Sequence, residues 1–214
     1  MLLGEVHDNP EHHRARLMIV EAMVKGGARP AVVMEQFDVI NQRGIDDART
    51  KEAVDPAAVR DAGKLTGWTW SFYEPFVSIA LTNKLPLLAG NLSRRDAFNV
   101  ASKGATGALG EERMRALGID RPLPPELHAR LLRILDDGHC GKAPEKYVAG
   151  MVDAQRARDA VMAEVLARQT GTAVLIAGNG HVRRDLGVPL YLSRMAPDAK
   201  TLAVGFIEVE DERR

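Results

Sequence analysis

The sequence predicts an α/β fold of three layers, helix over a mostly parallel sheet over helix, and three observations carry that reading. Short apolar runs rich in branched residues recur at 31–34, 85–89, 173–177 and 201–209. Helical patterns separate them, and short turns rather than long linkers join the two kinds of segment. Strands that alternate with helices build parallel sheets covered on both faces. A chain of 214 residues then folds as a single domain over 1–214.

Taken in order, Met1-Leu2-Leu3 reads as the end of a first strand that runs straight into Gly4. Strands usually run about five or six residues, so the N-terminal strand is expected to be truncated. Either the start is misplaced or a segment has been cut away, and any export signal would lie in that segment. The first helix is well marked over 10–25, with Asn9 as N-cap, Pro10 at the first helical position, Glu11 in the first turn and Gly26-Gly27 as the stop. Phe72, Phe76, Ile79 and Ala80 recur at helical spacing and predict a helix over 71–83. Further helices are expected at 94–102, opened by Arg94, Arg95 and Asp96 as a solvated first turn, and at 111–117 and 125–135. Pro144 opens the longest helix, which runs to about 169 and stops at Gly171. The glycine-rich stretch 103–110 and the proline-marked stretch 121–125 read as loops.

Composition excludes several classes. Lysine plus arginine number 29, as do aspartate plus glutamate, so no global positive field draws nucleic acid. The single cysteine, Cys140, leaves no intrachain disulfide and no cysteine-rich zinc or iron–sulfur centre. No apolar run reaches the roughly 20 residues that span a bilayer, and no basic segment followed by an apolar one opens the chain. As written, the chain reads as soluble.

Polar residues stand where the apolar runs end: Glu5 and His7 after the first, Glu35 after 31–34, Asn91 after 85–89, and Asn179 and His181 after 173–177. In open α/β sheets ligands bind outside the carboxyl ends of the strands. Two Gly-x-x-His units, at 4–7 and 178–181, repeat in that context. Glu5, His7, Glu35 and His181 are therefore expected to converge on one crevice. Two carboxylates and two imidazoles suit either a divalent metal such as zinc or manganese, or activation of a water. Helical wheel arithmetic turns His13 inward with Leu17, Val20 and Val24, and leaves His12 outside and exposed. On the long helix Tyr147, Met151, Met162 and Val165 mark the inner stripe, with Gln155 and Arg158 in its middle and Asp159 at its border. A buried arginine needs a partner, so Arg158 either bridges to Glu5 or Glu35 or touches the ligand directly. His139 and Cys140 are adjacent and unsuited to chelating one ion; Cys140 is expected to be an inert packed thiol. Trp68 and Trp70 either stack on a planar ligand or staple a loop to the core.

The motifs together carry a resemblance. They are Leu-Gly-Glu-Val-His-Asp-Asn-Pro-Glu-His-His at 3–13, Trp-Thr-Trp-Ser-Phe-Tyr-Glu-Pro from Trp68, Ala-Gly-Asn-Leu-Ser-Arg from Ala89, Gly-His-Cys-Gly from Gly138, Gln-Arg-Ala-Arg-Asp from Gln155, and Ala-Gly-Asn-Gly-His-Val-Arg-Arg-Asp-Leu-Gly-Val-Pro from Ala177. The chain resembles the ChaN-type haem-binding uptake proteins of bacteria, part of a wider superfamily with the Tiki proteins and erythromycin esterases, over nearly its whole length. The resemblance implies haem as the cofactor, a role in iron uptake, a periplasmic or lipid-anchored location beside membrane-associated uptake machinery, and a homodimer. It also implies a tyrosine on the iron. Tyr73, Tyr147 and Tyr191 are the candidates, and Tyr73, in the matching Tyr-Glu-Pro segment, is favoured. His13, Gln155, Arg158 and Arg183 are the further expected haem contacts, with Arg183 or Arg184 meeting propionates. The rival reading is a metal-dependent hydrolase, esterase- or peptidase-like, in which His7 or His181 deprotonates a water and Glu35 helps hold the metal. On either reading His7 and His181 serve the ligand rather than the fold.

Overall fold

The computed structural model describes residues 1–50, 55–138 and 145–209. Its strands are β1 (Leu2–Leu3), β2 (Ala31–Asp38), β3 (Leu87–Asn91), β4 (Ala173–Ile176) and β5 (Ala203–Val204). All pair in parallel, in the order β3-β2-β4-β1-β5. The expected α/β class is present. Two strands depart from the sequence reading. β2 continues past Met34, so Glu35 lies inside the strand, and a register shift against β3 between Met34 and Asp38 marks a bulge there. The 201–209 run supplies only Ala203 and Val204, at the sheet edge, and leaves Ile207 and Val209 exposed.

Alternate residues along each strand enter opposite cores, as the period of two requires. Leu3, Val32, Met34, Val174 and Ile176 pack under one helical layer, formed by α1 (Pro10–Lys25), α2 (Gln42–Arg49), α3 (Pro56–Ala62) and α4 (Trp70–Thr82). Leu2, Val33, Leu175 and Ala177 pack under the other, formed by α5 (Arg94–Leu109), α6 (Glu111–Leu117), α8 (Glu145–Ala167) and α10 (Val188–Met195), with α7 (Pro125–Gly138) against α8 and the one-turn α9 (Asn179–Val182) after β4. The Asn9 side chain caps α1 by accepting from the Glu11 and His12 amides, which satisfies donors the helix leaves unpaired.

The stretch 103–110, expected as a loop, is helical; the helix breaks at Gly104, whose φ of 73° only glycine adopts freely, and resumes to Leu109. Helices α2, α3 and α10 were not anticipated from periodicity. His139 and Cys140 lie outside the described residues. Among the described residues no helix is long and apolar enough to cross a membrane.

The connections place the functional crevice. β1 and β2 lead to the α1–α4 layer, while β3 and β4 lead to the α5–α10 layer. Where neighbouring strands send their connections to opposite faces, the chain ends splay and a crevice opens beyond the carboxyl ends. That condition holds on both sides of β2, against β4 and against β3.

Candidate functional site

Glu5, two residues beyond β1, is 2% exposed and anchors the first of two charge networks. Its Oε2 meets Arg16 Nη1 at 2.7 Å with both side chains sealed from solvent. Its Oε1 takes the Nδ1 proton of His7 at 2.5 Å and the hydroxyl proton of Tyr73 at 3.2 Å. Arg16 also donates through Nη1 to the carbonyls of Leu3 and Ala177, and through Nη2 to His13 Nδ1 at 2.7 Å. His13 is thereby fixed as the neutral tautomer whose Nε2–H donates to the His7 carbonyl at 3.0 Å. Burial, with Arg16 beside it, holds its pKa below the usual value, and its ring stacks on Phe72 at 4.4 Å.

The second network lies beyond β2 and β4. His181 is sandwiched between carboxylates, with Nδ1 2.6 Å from Asp159 Oδ1 and Nε2 3.2 Å from Glu35 Oε1. Burial alone would lower its pKa, but the two carboxylates outweigh burial and raise it to about 10. Burial would likewise raise Glu35, yet His181 and the Gly178 amide, which donates to Glu35 Oε2 at 2.8 Å, hold it at about 2. For Asp159 burial wins over His181 and its pKa rises to about 6. Both ring nitrogens of His181 thus face carboxylates that favour its protonated form, and Gln155 Nε2 rests 3.2 Å from Nδ1.

His7 joins the networks. Its ring lies directly over Gly178, where a Cβ would come within 2.7 Å of His7 Cε1, and meets Trp68 edge-on at 4.8 Å. The side chain is 55% exposed. Burial works to lower its pKa, but Glu5 and then Glu35 raise it above the ordinary value.

The structure thus brings Glu5, His7, Glu35 and His181 to one end of the sheet, though in two hydrogen-bonded sets. As a chelating group for zinc or manganese they are unsuited, since both nitrogens of His181 are directed at carboxylates and Glu5 is committed to Arg16. Among the described residues no three His, Cys, Asp or Glu side chains are arranged to hold a metal ion. Several placements correct the sequence reading. His12 is buried, not exposed, because its Nδ1 accepts from the Val6 amide at 3.1 Å and Phe206 covers its ring. Tyr73 is fully buried with burial pushing its phenol pKa up, so the favoured tyrosine presents no oxygen to solvent. Tyr191 is also buried, accepting from Arg156. Arg158 does not reach Glu5 or Glu35; it is half-buried and donates to Asn91 Oδ1 at 2.9 Å. Arg183 is clamped by both oxygens of Asp185. His181 lies between two buried carboxylates, Glu35 and Asp159, so it is bound into the core as well as facing the crevice. The sequence reading overlooked Arg16 as the partner of Glu5, although it stands one turn after His13 on the same face.

No curated protein matches the chain. Among solved structures, ChaN of Campylobacter jejuni, described as binding haem cofacially, is 26% identical with a TM-score of 0.73, covering 90% of this chain and 74% of that one. RRSP, a MARTX toxin effector domain from Vibrio vulnificus, is 15% identical with a TM-score of 0.49, covering 90% of this chain and 31% of that one. The erythromycin esterase EreC is 14% identical with a TM-score of 0.48, covering 90% and 66%. The family model for haem-binding uptake, Tiki superfamily, ChaN matches residues 1–192, a span that takes in both charge networks and all of the sheet except β5. The chain belongs to the ChaN family of haem-binding uptake proteins.

Proposed function

We propose that the chain binds haem and that His7 is the side chain presented to its iron. The observation that carries this reading is the His7 ring, more than half exposed, with Nδ1 held by a buried carboxylate and Nε2 making no hydrogen bond among the described residues. A carboxylate on one imidazole nitrogen fixes the tautomer and raises the basicity of the other, the usual outer-shell arrangement of a metal-ligating histidine. When bound, haem would supply an iron that the His7 imidazole would ligate. Around it this chain contributes the Trp68 edge and a scaffold that keeps the ring oriented through Glu5, Arg16 and Gly178. Tyr73 and His13 then act from behind the site, holding Glu5 and the backbone of His7. By analogy with the cofacial haem of the Campylobacter protein, two copies of this chain would each present a His7 to one of two facing porphyrins, in a homodimer. Iron uptake at a periplasmic or membrane surface is the setting in which such a protein would act. No observation favours the metal-dependent hydrolase.

The test is a haemin titration followed in the Soret band. His7→Ala is expected to remove the ligated spectrum and weaken binding at least tenfold while leaving stability nearly unchanged. Tyr147→Phe, at the one tyrosine whose side chain lies outside the description, is expected to bind as the unmodified chain does. The reverse pattern would overturn the assignment of His7.

A further inference from the structure

A second crevice opens on the other side of β2, where the chain ends of β2 and β3 part. It encloses about 190 Å³ and is lined by Gln36, Asp38, Asn91, Arg94 and Arg158, closed from the opposite layer by Lys64 and the 66–68 segment. Its walls are polar and its charge is unbalanced. Lys64, Arg94 and Arg158 face it against the single carboxylate of Asp38. Arg158 donates to Asn91 and feels the charges of Asp38 and Asp159 without a direct ion pair to either, and neither Lys64 nor Arg94 has an ion-pair partner among the described residues.

The buried end of the crevice carries a sharper signal. Gln36 is 4% exposed, yet neither its amide nitrogen nor its amide oxygen has a hydrogen-bond partner. Burying an amide with no partner is costly, and native proteins rarely leave both ends of one side chain empty. Gln36 lies in the stretch of β2 where the register against β3 shifts, and bulges commonly re-aim a side chain beside a functional site.

We propose that this crevice is a carboxylate-binding subsite, in which a ligand carboxylate pairs with Arg158, Arg94 and Lys64 and is met at its inner end by the Gln36 amide. Guanidinium groups match the two oxygens of a carboxylate. The lining, three cations against the one carboxylate of Asp38, favours an anion, and a planar carboxylate sets fewer negative oxygens beside Asp38 than a tetrahedral phosphate does. The volume is below the roughly 300–1,000 Å³ of whole small-molecule sites, so the crevice takes the acidic end of a ligand and not a porphyrin ring. Trp68 belongs to its wall and also touches His7, so a ligand seated on His7 can reach the crevice across that ring. The carboxylate therefore has two sources, a haem propionate or a free small carboxylate. The first rests on the haem reading above; the second does not.

The experiment compares haemin with haemin dimethyl ester, and propionate with inorganic phosphate, against the unmodified chain, Arg158→Gln, Gln36→Leu and the exposed-site double variant Lys64→Ala with Arg94→Ala. The last of these removes charge from the surface and spares the core, so it remains informative should the buried variants fold poorly. If propionates use the crevice, the variants weaken haemin about tenfold, as expected for a lost charge-assisted bond, and leave the ester unaffected. If a free carboxylate is the occupant, haemin and ester bind alike throughout, while millimolar propionate raises the melting temperature of the unmodified chain and not of the variants. Equal haemin and ester binding with no response to propionate would overturn the proposal, and so would a response to phosphate alone. Should the unmodified chain fail to bind haemin at all, the haem reading falls and the propionate arm still decides the crevice.

Discussion

At the scale of single residues, the site rests on charges removed from water and matched to one another. Arg16 and Glu5 are both fully enclosed, so each compensates the desolvation of the other. Arg16→Met is expected to cost about 3–5 kcal/mol, because it strands a buried carboxylate; adding Glu5→Gln should recover much of that loss, and denaturant melts of the single and double variants measure it. No recovery would mean that Arg16 acts through packing on Phe76 and not through charge. Tyr73→Phe removes one hydrogen bond at 3.2 Å from an already paired carboxylate, so it is expected to cost about 1 kcal/mol and to leave the haemin spectrum as it was. Glu5 was legible as a polar residue at the end of an apolar run, but Arg16, its partner, was not. Helical spacing placed His13 inward, and Arg16 shares that face, yet a wheel cannot say which strand end an arginine will reach. His12 was misread for a related reason. The wheel assigns it to solvent, and only the fold brings Phe206 from the far end of the chain to cover it.

At the scale of elements, the ends of β1 and β4 were readable because glycine and polar residues follow those apolar runs, whereas no glycine follows Met34 and β2 runs on past its expected end. Short helices were harder to read. α2, α3 and α10 have seven or eight residues each, too few turns for periodicity to declare itself, and α5 runs through a glycine-rich stretch that composition alone assigns to loop. The turn after β4 carries the clearest element-level consequence. Gly178 leaves room for the His7 ring and donates its amide to Glu35, so one residue spaces the two networks. Gly178→Ala places a methyl carbon 2.7 Å from His7 Cε1, and the ring, tied to Glu5, has to swing outward. The expected result is loss of the haemin Soret signal comparable with that of His7→Ala, with a stability change of about 1 kcal/mol or less because His7 is half exposed. A haemin titration alongside a urea melt checks it; unchanged binding would show that the orientation of His7 over Gly178 is immaterial to the ligand.

At the scale of the whole molecule, the Glu35–His181–Asp159 sandwich ties β2, the turn after β4 and helix α8 into one unit, so its titration should register in global stability. Glu35, held at about 2, contributes stability that is present above its unfolded value and lost as pH falls from about 4.5 toward 2. Asp159, raised to about 6, works the other way, its contribution falling as pH rises from about 3.8 through 6. His181 dominates the alkaline side. Its pKa is raised to about 10, so its contribution is complete below about 6.5 and drains away as pH climbs to 10, where the imidazole loses its proton between two carboxylates. His7 shifts in the same direction, and other groups also titrate in that range, so the comparison must be made against a variant. His181→Gln keeps a hydrogen-bonding side chain and removes the charge. It is expected to be less stable than the unmodified chain at pH 6 by about 3–5 kcal/mol, the cost of leaving buried charge unpaired, and the gap should narrow steadily as pH rises from 6.5 to 10. Parallel stability curves across that interval would show that His181 is neutral in the folded protein and that the sandwich is held by ordinary hydrogen bonds, and the objection to His181 as a metal ligand would fall with it.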